Sequence, residues 1–204
     1  MSKKIGIIDA DFGNLESIIN AIRYLGFEFD VLKKTSNLGL HTHLILPGVG
    51  SFNQASKKLK SSGWFQALKE FAQEGKPILG ICLGMQLMFE FGEEDGFIEG
   101  LGFFKGNCER FTKGLNLPLP HMGFNFVSQT ESKIWTNIPN PSPFYFVHGY
   151  RIKHNDKSAK ISKIVYGDEF VAFIERKNIY GAQFHPEKSH EVGLLLLKNF
   201  INLK

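Results

Sequence analysis

Short apolar runs alternate with amphipathic stretches through the first ninety residues of the chain. The apolar runs, which are rich in aliphatic and β-branched side chains typical of buried strands, are residues 4–9, 27–32, 44–46 and 77–81. The amphipathic stretches, which repeat apolar side chains at helical spacing, are residues 15–25, 52–60, 64–75 and 85–91. Strands that alternate with helices in this way favour an α/β fold with a parallel sheet covered on both faces.

The pattern changes in the second half of the chain. Residues 92–143 are rich in Gly, Pro and Asn, and we interpret them as an antiparallel insertion or an extension of the sheet. Short β-like pieces in this stretch are residues 108–111 and 124–126. Further strands and a closing amphipathic helix are expected at residues 144–147, 171–174, 179–184 and 191–203. No repeat or linker divides the sequence, so we expect one domain over residues 1–204.

Composition excludes several classes of protein. Hydrophobic residues make up 43% of the chain and charged residues 22%, as in soluble globular proteins, and no apolar run approaches the ~20 residues that cross a membrane. The basic start lacks a following signal core, and two cysteines suit a reducing compartment, so we expect an unprocessed cytosolic protein. The net charge is +4, but the basic residues are scattered, which favours solvated faces over a nucleic-acid site.

Cys82 lies in the pattern Gly-Ile-Cys-Leu-Gly, between a predicted strand and a predicted helix. This pattern is typical of a nucleophile elbow, in which a sharp turn lifts the reactive side chain clear of the sheet. A helix start beside the sulfur favours the thiolate, and the amide of Leu83 can donate to an oxyanion. The motif alone is equally consistent with a buried structural cysteine. The strand-to-helix context favours the nucleophile.

His185 is the candidate base among seven histidines. It follows an apolar strand and precedes Pro186 and Glu187, so the carboxylate can orient the imidazole while the other ring nitrogen faces the thiol. The tripeptide alone is a weak signal, and it becomes strong in combination with the elbow. His41 and His43 form a His-x-His pair without further ligands nearby, so we expect exposed loop histidines there and no metal site.

A glycine-rich loop, Pro-Gly-Val-Gly-Ser, follows the third predicted strand at residues 47–51. Its two glycines permit positive φ and reorientation of a peptide, so the loop can present an N–H to a tetrahedral intermediate. A plain strand-to-helix turn explains the same residues equally well.

Two of these segments resemble the signatures of class I (triad) glutamine amidotransferases: Gly-Ile-Cys-Leu-Gly-Met-Gln at residues 80–86 and Gly-Ala-Gln-Phe-His-Pro-Glu-Lys-Ser at residues 181–189. Shorter motifs narrow the resemblance to the glutaminase subunits of imidazole glycerol phosphate synthase. They are Pro-Gly-Val-Gly at 47–50, Pro-His-Met-Gly at 120–123, Phe-Val-His at 146–148 and Lys-Ser at 188–189. The resemblance runs from Asp9 to the end of the chain. It implies a flavodoxin-like three-layer fold with a mostly parallel central sheet and an antiparallel extension.

The resemblance also implies roles for individual residues. Cys82 is expected to be the nucleophile, His185 the general base and then acid, and Glu187 its orienter. The expected oxyanion-hole amides are those of Gly50 and Leu83, and Val49 belongs to the peptide that must reorient. Expected contacts to glutamine come from Gly48, Gln86, His148, Gly149 and Tyr150. The expected partner is a cyclase subunit with a (β/α)8 barrel that forms a heterodimer with this chain. Residues expected to face it are Asn14, Met122, Tyr145 and Lys188.

The implied reaction splits glutamine into glutamate and ammonia through a thioester, without a cofactor. Ammonia then reaches the cyclase, which makes imidazole glycerol phosphate and an aminoimidazole carboxamide ribotide. The glycine-rich loop can rest with a carbonyl aimed at the oxyanion site, so we expect low glutaminase activity without the partner.

The sequence departs from the family at Ala10, Phe124 and Gly149, all of them outside the triad. These departures leave open a paralogous subunit that supplies ammonia for the amidination of a surface-polysaccharide sugar. A thiol hydrolase that acts without a synthase and a non-catalytic binding module rank behind both readings.

Overall fold

The computed structural model describes residues 3–13, 15–94, 96–112 and 117–203. The strands of the described residues are β1 (Ile5–Ile8), β2 (Phe29–Leu32), β3 (His43–Gly48), β4 (Ile78–Cys82), β5 (Phe89–Gly92), β6 (Ile98–Glu99), β7 (Phe104–Arg110), β8 (His121–Val127), β9 (Ser142–His148), β10 (Tyr150–His154), β11 (Lys160–Tyr166), β12 (Asp168–Arg176) and β13 (Ile179–Ala182). The α-helices are α1 (Leu15–Tyr24), α2 (Phe52–Ser61), α3 (Trp64–Gln73), α4 (Leu83–Gln86) and α5 (His190–Asn202). Within these ranges, no helix is both long enough and apolar enough to span a membrane.

A seven-stranded sheet forms the centre of the fold, in the order β11-β12-β13-β4-β3-β1-β2. The five strands from β13 to β2 run parallel, and β12 and β11 continue the sheet in antiparallel fashion. Every residue of β1, β3, β4 and β13 is buried, as their continuous apolar sequences predict. The predicted α/β fold with a mostly parallel sheet and an antiparallel extension is therefore confirmed.

Helices cover both faces of this sheet. Successive residues of a strand point to opposite faces, and Ile45 of β3 accordingly belongs to one apolar cluster while Leu44 and Leu46 belong to another. The first cluster contains the buried side chains of α1 and α5, and the second contains those of α2 and α3. The result is three layers, with the sheet in the middle.

The prediction of a helix over residues 85–91 is wrong. Helix α4 stops at Gln86, and β5 begins three residues later. Leu87, Met88 and Phe89 are each 0% exposed, so this segment has no polar face to turn toward solvent. It pairs with β6 and β7 instead, because tertiary packing overrides a weak helical preference.

The described part of the stretch from residue 92 to residue 143 does not extend the central sheet. It contributes to a four-stranded sheet, β10-β7-β5-β6, and to the two-stranded hairpin β8–β9. The antiparallel extension comes from β11 and β12, and the sequence pattern missed β10 and β11.

The expectation that His41 and His43 are exposed is wrong. His41 is 2% exposed, with Nε2 3.0 Å from Asp30 Oδ2 and Nδ1 3.2 Å from the Asn37 carbonyl. His43 is 3% exposed and packs edge-on against Phe200. Burial lowers the pKa of His43 to about 4, so the ring is a neutral core group at pH 7.

Candidate active site

The candidate nucleophile stands on a strained turn at the end of β4. Cys82 has φ 53° and ψ −109°, a backbone conformation that L-residues rarely adopt. The turn is possible because α4 packs directly on β3: a Cβ at Gly84 would lie 1.8 Å from the Leu46 carbonyl oxygen. The sharp strand-to-helix turn that the sequence pattern predicts is therefore present in the structure, and the role of Cys82 as nucleophile stays a prediction.

The candidate base and its orienting carboxylate lie in the loop after β13. His185 Nδ1 is 2.7 Å from Glu187 Oε1, and the two side chains are only 3% and 6% exposed. Pro186–Lys188 form a 3₁₀ turn that holds the two residues on the same side. The His185 amide donates to the Tyr145 carbonyl at 2.8 Å, which fixes the loop to β9. A carboxylate on Nδ1 leaves Nε2 as the nitrogen that exchanges protons with a nucleophile.

The sheet brings the thiol and the imidazole to one edge. Strands β4 and β13 are parallel neighbours, with Ala182 opposite Ile81, so the residues after each strand emerge together. Burial lowers the pKa of His185, but hydrogen bonding and charge interaction with Cys82 and Glu187 outweigh it and raise the pKa to about 10. Nε2 of His185 is buried, and its interaction with the Cys82 sulfur is not a well-aligned hydrogen bond in this conformation.

The Cys82 sulfur has two further polar neighbours. Sγ lies 3.8 Å from the Val147 carbonyl oxygen and 3.7 Å from Gln183 Nε2. Gln183 is 0% exposed and follows β13 directly, across from the nucleophile. The sequence reasoning gave Gln183 no role, although it stands two residues before His185 in the second signature and at the end of a buried strand.

The glycine-rich loop lies beside the nucleophile, as the sequence predicts. Gly48 is opposite Cys82 in the ladder between β3 and β4. The Val49 amide donates to the Phe12 carbonyl at 2.9 Å, so in this conformation its N–H is already bonded within the protein. Gly50 has φ +107°, which a residue with a side chain adopts only at a cost. Leu83 follows Cys82 directly as the first residue of α4 and is buried. The oxyanion roles of Val49, Gly50 and Leu83 stay predictions.

Two of the residues expected to contact glutamine, Gln86 and His148, bond to the main-chain carbonyl of a third, Tyr150. Gln86 is 6% exposed, and its Nε2 lies 3.0 Å from Gln183 Oε1 and 3.4 Å from the Tyr150 carbonyl. His148 Nδ1 donates to the same carbonyl at 2.6 Å, and Gly149 joins β9 to β10. The glutamine contacts of Gly48, Gln86 and residues 148–150 stay predictions.

Three of the four residues expected to face a partner share one surface. Met122 on β8 is 62% exposed, and Phe124 and Phe126 on the same strand are 47% and 65% exposed. Tyr145 pairs with Phe124 across the hairpin, and the Lys188 ammonium lies 6.0 Å from the Tyr145 ring centre. The fourth residue, Asn14, lies outside the described residues. The hairpin thus presents an apolar face beside the loop that holds His185.

Comparisons with known proteins relate the whole chain to one family. The family model described as glutamine amidotransferase class-I matches residues 7–203. The chain is 45% identical over 201 residues to "Imidazole glycerol phosphate synthase subunit HisH 1" of Campylobacter jejuni strain RM1221, covering 98% of this chain and 100% of that one. It is 45% identical over 197 residues to "Imidazole glycerol phosphate synthase subunit HisH" of Desulfitobacterium hafniense strain DSM 10664 / DCB-2, covering 96% and 92%.

Among solved structures, "Structure of PurLQS from Thermotoga maritima" superposes with a TM-score of 0.78 at 19% identity, covering 99% of both chains. A likeness at this level of identity concerns the fold alone. It places the same three-layer architecture in a second protein of unlike sequence.

Proposed function

Because the chain belongs to the class-I glutamine amidotransferases, and within them to the family of the HisH subunits of imidazole glycerol phosphate synthase, we propose that it hydrolyses glutamine with Cys82, His185 and Glu187 and delivers the ammonia to a synthase partner. The chain is the glutaminase subunit of that synthase and serves histidine biosynthesis. The observation that carries the assignment of residues is the meeting of the Cys82 elbow with the hydrogen-bonded pair of His185 and Glu187 at one edge of the sheet.

The first half of the reaction forms a thioester. Cys82 Sγ bonds to the side-chain carboxamide carbon of glutamine, and the electron pair of the carbonyl moves onto its oxygen. The tetrahedral intermediate then breaks its C–N bond, and the nitrogen leaves as ammonia after taking a proton from His185. The high pKa of His185 keeps the ring protonated while the thiolate attacks, so the proton is available at that moment.

The second half returns the enzyme to its starting state. His185, now neutral, takes a proton from water as the water oxygen attacks the thioester carbon. The C–S bond breaks, glutamate leaves, and the thiolate and the imidazolium are restored. Glu187 holds Nδ1–H throughout and stabilises the positive ring.

The Val49 peptide couples this chemistry to the partner. The Val49 carbonyl and the Gly50 N–H belong to one peptide, which has to rotate before the Gly50 N–H can donate to an oxyanion. The Val49 N–H, on the preceding peptide, is bonded to the Phe12 carbonyl at 2.9 Å. A (β/α)8 cyclase subunit that docks on Met122, Tyr145 and Lys188 to form a heterodimer biases this rotation. The free chain is therefore a poor glutaminase.

The place of action is the cytoplasm. Both cysteines are free and buried, as thiols are in a reducing compartment. The reaction that we propose for the protein belongs to amino-acid biosynthesis.

A pair of cysteine substitutions tests the assignment. Cys82→Ala is expected to reduce glutamate release in the presence of the cyclase subunit to below about a thousandth of the wild-type rate, because no other group can form the thioester. Cys108→Ala is the matched control: Cys108 is buried, and burial and then nearby acidic side chains raise the pKa of its thiol. Turnover that survives in Cys82→Ala would refute the role of this residue. The same assay with a sugar-amidinating synthase as partner distinguishes the alternative acceptor.

A further inference from the structure

Gln183 is a buried polar side chain that the proposed reaction does not use. It is 0% exposed, it lies at the end of β13, and its main-chain N–H donates to the Ala172 carbonyl at 2.9 Å. Strand register places it across from Cys82, because the preceding residue, Ala182, pairs with Ile81. A buried amide costs free energy unless both its ends are bonded, so its two partners show what it is for.

The oxygen and the nitrogen of the Gln183 amide have different partners. Gln183 Oε1 lies 3.0 Å from Gln86 Nε2, and Gln183 Nε2 lies 3.7 Å from Cys82 Sγ. A side-chain amide can be placed either way round in a structure, so its orientation has to be fixed by partners that can only accept or only donate.

Gln86, which bonds to Gln183, has a partner of this kind. Gln86 Nε2 is 3.4 Å from the Tyr150 carbonyl, which can only accept. The Gln86 nitrogen therefore faces both this carbonyl and Gln183, and Gln183 must present its oxygen to Gln86. Its NH2 group is left to face the sulfur.

We propose that the Gln183 amide donates a hydrogen bond to the Cys82 sulfur and stabilises its thiolate form, and that Gln86 is a positioning residue that holds the Gln183 amide in this orientation. The proposal deepens the proposed function and rests on Cys82 as its nucleophile. A hydrogen bond to the charged form of a group favours that form, and at a buried sulfur, here 6% exposed, a single donor has a large effect. Gln183 touches the reacting atom and is therefore a catalytic residue.

The expected effect follows from the strength of such bonds. A hydrogen bond to a charged group contributes about 1.5–3 kcal/mol, and 1.4 kcal/mol corresponds to a factor of ten in an equilibrium. Gln183→Met removes the donor and keeps the length of the side chain. It is expected to lower the ionisation constant of the Cys82 thiol by at least about tenfold, and with it the rate of alkylation at pH values below the midpoint.

Alkylation of the full-length chain by iodoacetamide, followed from pH 5 to pH 10 with the modified peptide identified by mass spectrometry, measures this directly. The midpoint of the Cys82 profile should move upward by about one pH unit in Gln183→Met. It should move further in Gln183→Glu, because a carboxylate beside the sulfur repels the thiolate. Gln86→Met should give a smaller shift in the same direction. Gln54→Met, at an exposed position of α2, is the matched control and should keep the wild-type midpoint.

Circular dichroism and thermal unfolding show whether each variant is folded. A folded Gln183→Met with an unchanged midpoint overturns the proposal. If Gln183→Met does not fold, unchanged or lowered midpoints in Gln183→Glu and Gln86→Met overturn it equally.

The readout separates this proposal from the proposed function, since alkylation requires neither glutamine nor a partner. If the pH profile of Cys82 alkylation depends on Gln183 but the chain releases no glutamate with its cyclase, the hydrogen bond is supported and the proposed function is refuted. If the chain turns over glutamine with its partner but the alkylation profile does not depend on Gln183, the proposed function is supported and the Gln183 hydrogen bond is refuted.

Discussion

At Cys82 the chain holds a non-glycine residue at φ 53°, a conformation that costs on the order of 1–3 kcal/mol and persists only where the surroundings impose it. Strand β4 pairs in parallel with β13 on one side and with β3 on the other. Helix α4 packs closely against β3 because Gly84 has no Cβ at the contact. The strain is offset by burial of the flanking strands, and it places a thiol where an imidazole and an amide both reach it. Reactivity at this residue therefore depends on a few neighbours, each of which can be removed singly.

Glu187 does not contact the sulfur in our mechanism; its negative charge stabilises the protonated ring of His185. Glu187→Gln keeps an oxygen that can accept from Nδ1–H but loses the negative charge that helps to raise the pKa of His185. We expect kcat for glutamate release with the cyclase subunit to fall about ten- to a hundredfold, because the imidazolium that donates to the leaving nitrogen is less stable.

The same substitution also has a signature in the pH profile. Removing a group that raises a pKa lowers that pKa, so the alkaline limb that reports loss of the His185 proton should move to lower pH. Glu191→Gln, in the first turn of α5, is the comparison variant. A Glu187→Gln enzyme with wild-type kcat and an unmoved limb would remove the carboxylate from the mechanism.

Elements with a strong local signal were predictable from sequence, and those defined by long-range pairing were not. The β4 elbow and the loop after β13 were found because an apolar run, a turn and a reactive residue follow one another within ten positions. The false helix over residues 85–91 and the missed strands β10 and β11 are decided by partners distant in sequence: β5 pairs with β7, β10 with β7 and β11 with β12. Gln183 was overlooked for the same reason, since its role appears only when β13 lies beside β4.

The hairpin β8–β9 contains an element that responds to acid. His148 Nδ1 donates to the Tyr150 carbonyl at 2.6 Å, His121 Nδ1 lies 3.0 Å from His148 Nε2, and Asn125 Nδ2 lies 2.9 Å from His121 Nε2. This sequence of bonds is complete only when both rings are neutral, because a second proton on either ring would set two donors face to face. Burial lowers the pKa of His121 to about 4 and that of His148 to about 3.

The hairpin histidines should therefore make the fold sensitive to acid. Their folded pKa values lie below the ordinary 6.5, so their contribution to stability is fully present above pH 6.5 and is lost as the pH falls toward 4 and then 3. From pH 7 to pH 5 we expect each ring to cost about 2 kcal/mol in the free energy of unfolding. Urea unfolding at both pH values tests this with His121→Gln, which should lose about that much less than wild type over the interval. Equal losses in the two proteins would contradict the assignment.

The central sheet positions the candidate catalytic side chains, and strands of the smaller sheets lie beside them. Strands β3, β4 and β13 are neighbours, so the glycine-rich loop, Cys82 and His185 emerge at one edge. The hairpin β8–β9 contacts this edge on one side, through Val147, and on the other presents the exposed Met122, Phe124 and Phe126. A partner that covers this face is therefore one strand away from the sulfur. We propose that it turns the peptide between Val49 and Gly50 so that the Gly50 N–H can donate to the oxyanion.

A rapid acid quench of the chain mixed with glutamine and its cyclase subunit, followed by mass spectrometry of the cysteine peptides, shows which cysteine carries the acyl group. We expect the peptide containing Cys82 to carry the added mass of one γ-glutamyl group during turnover, and the peptide containing Cys108 to remain unmodified. Steady production of glutamate with no adduct on Cys82, or with the adduct on the Cys108 peptide, would contradict this assignment.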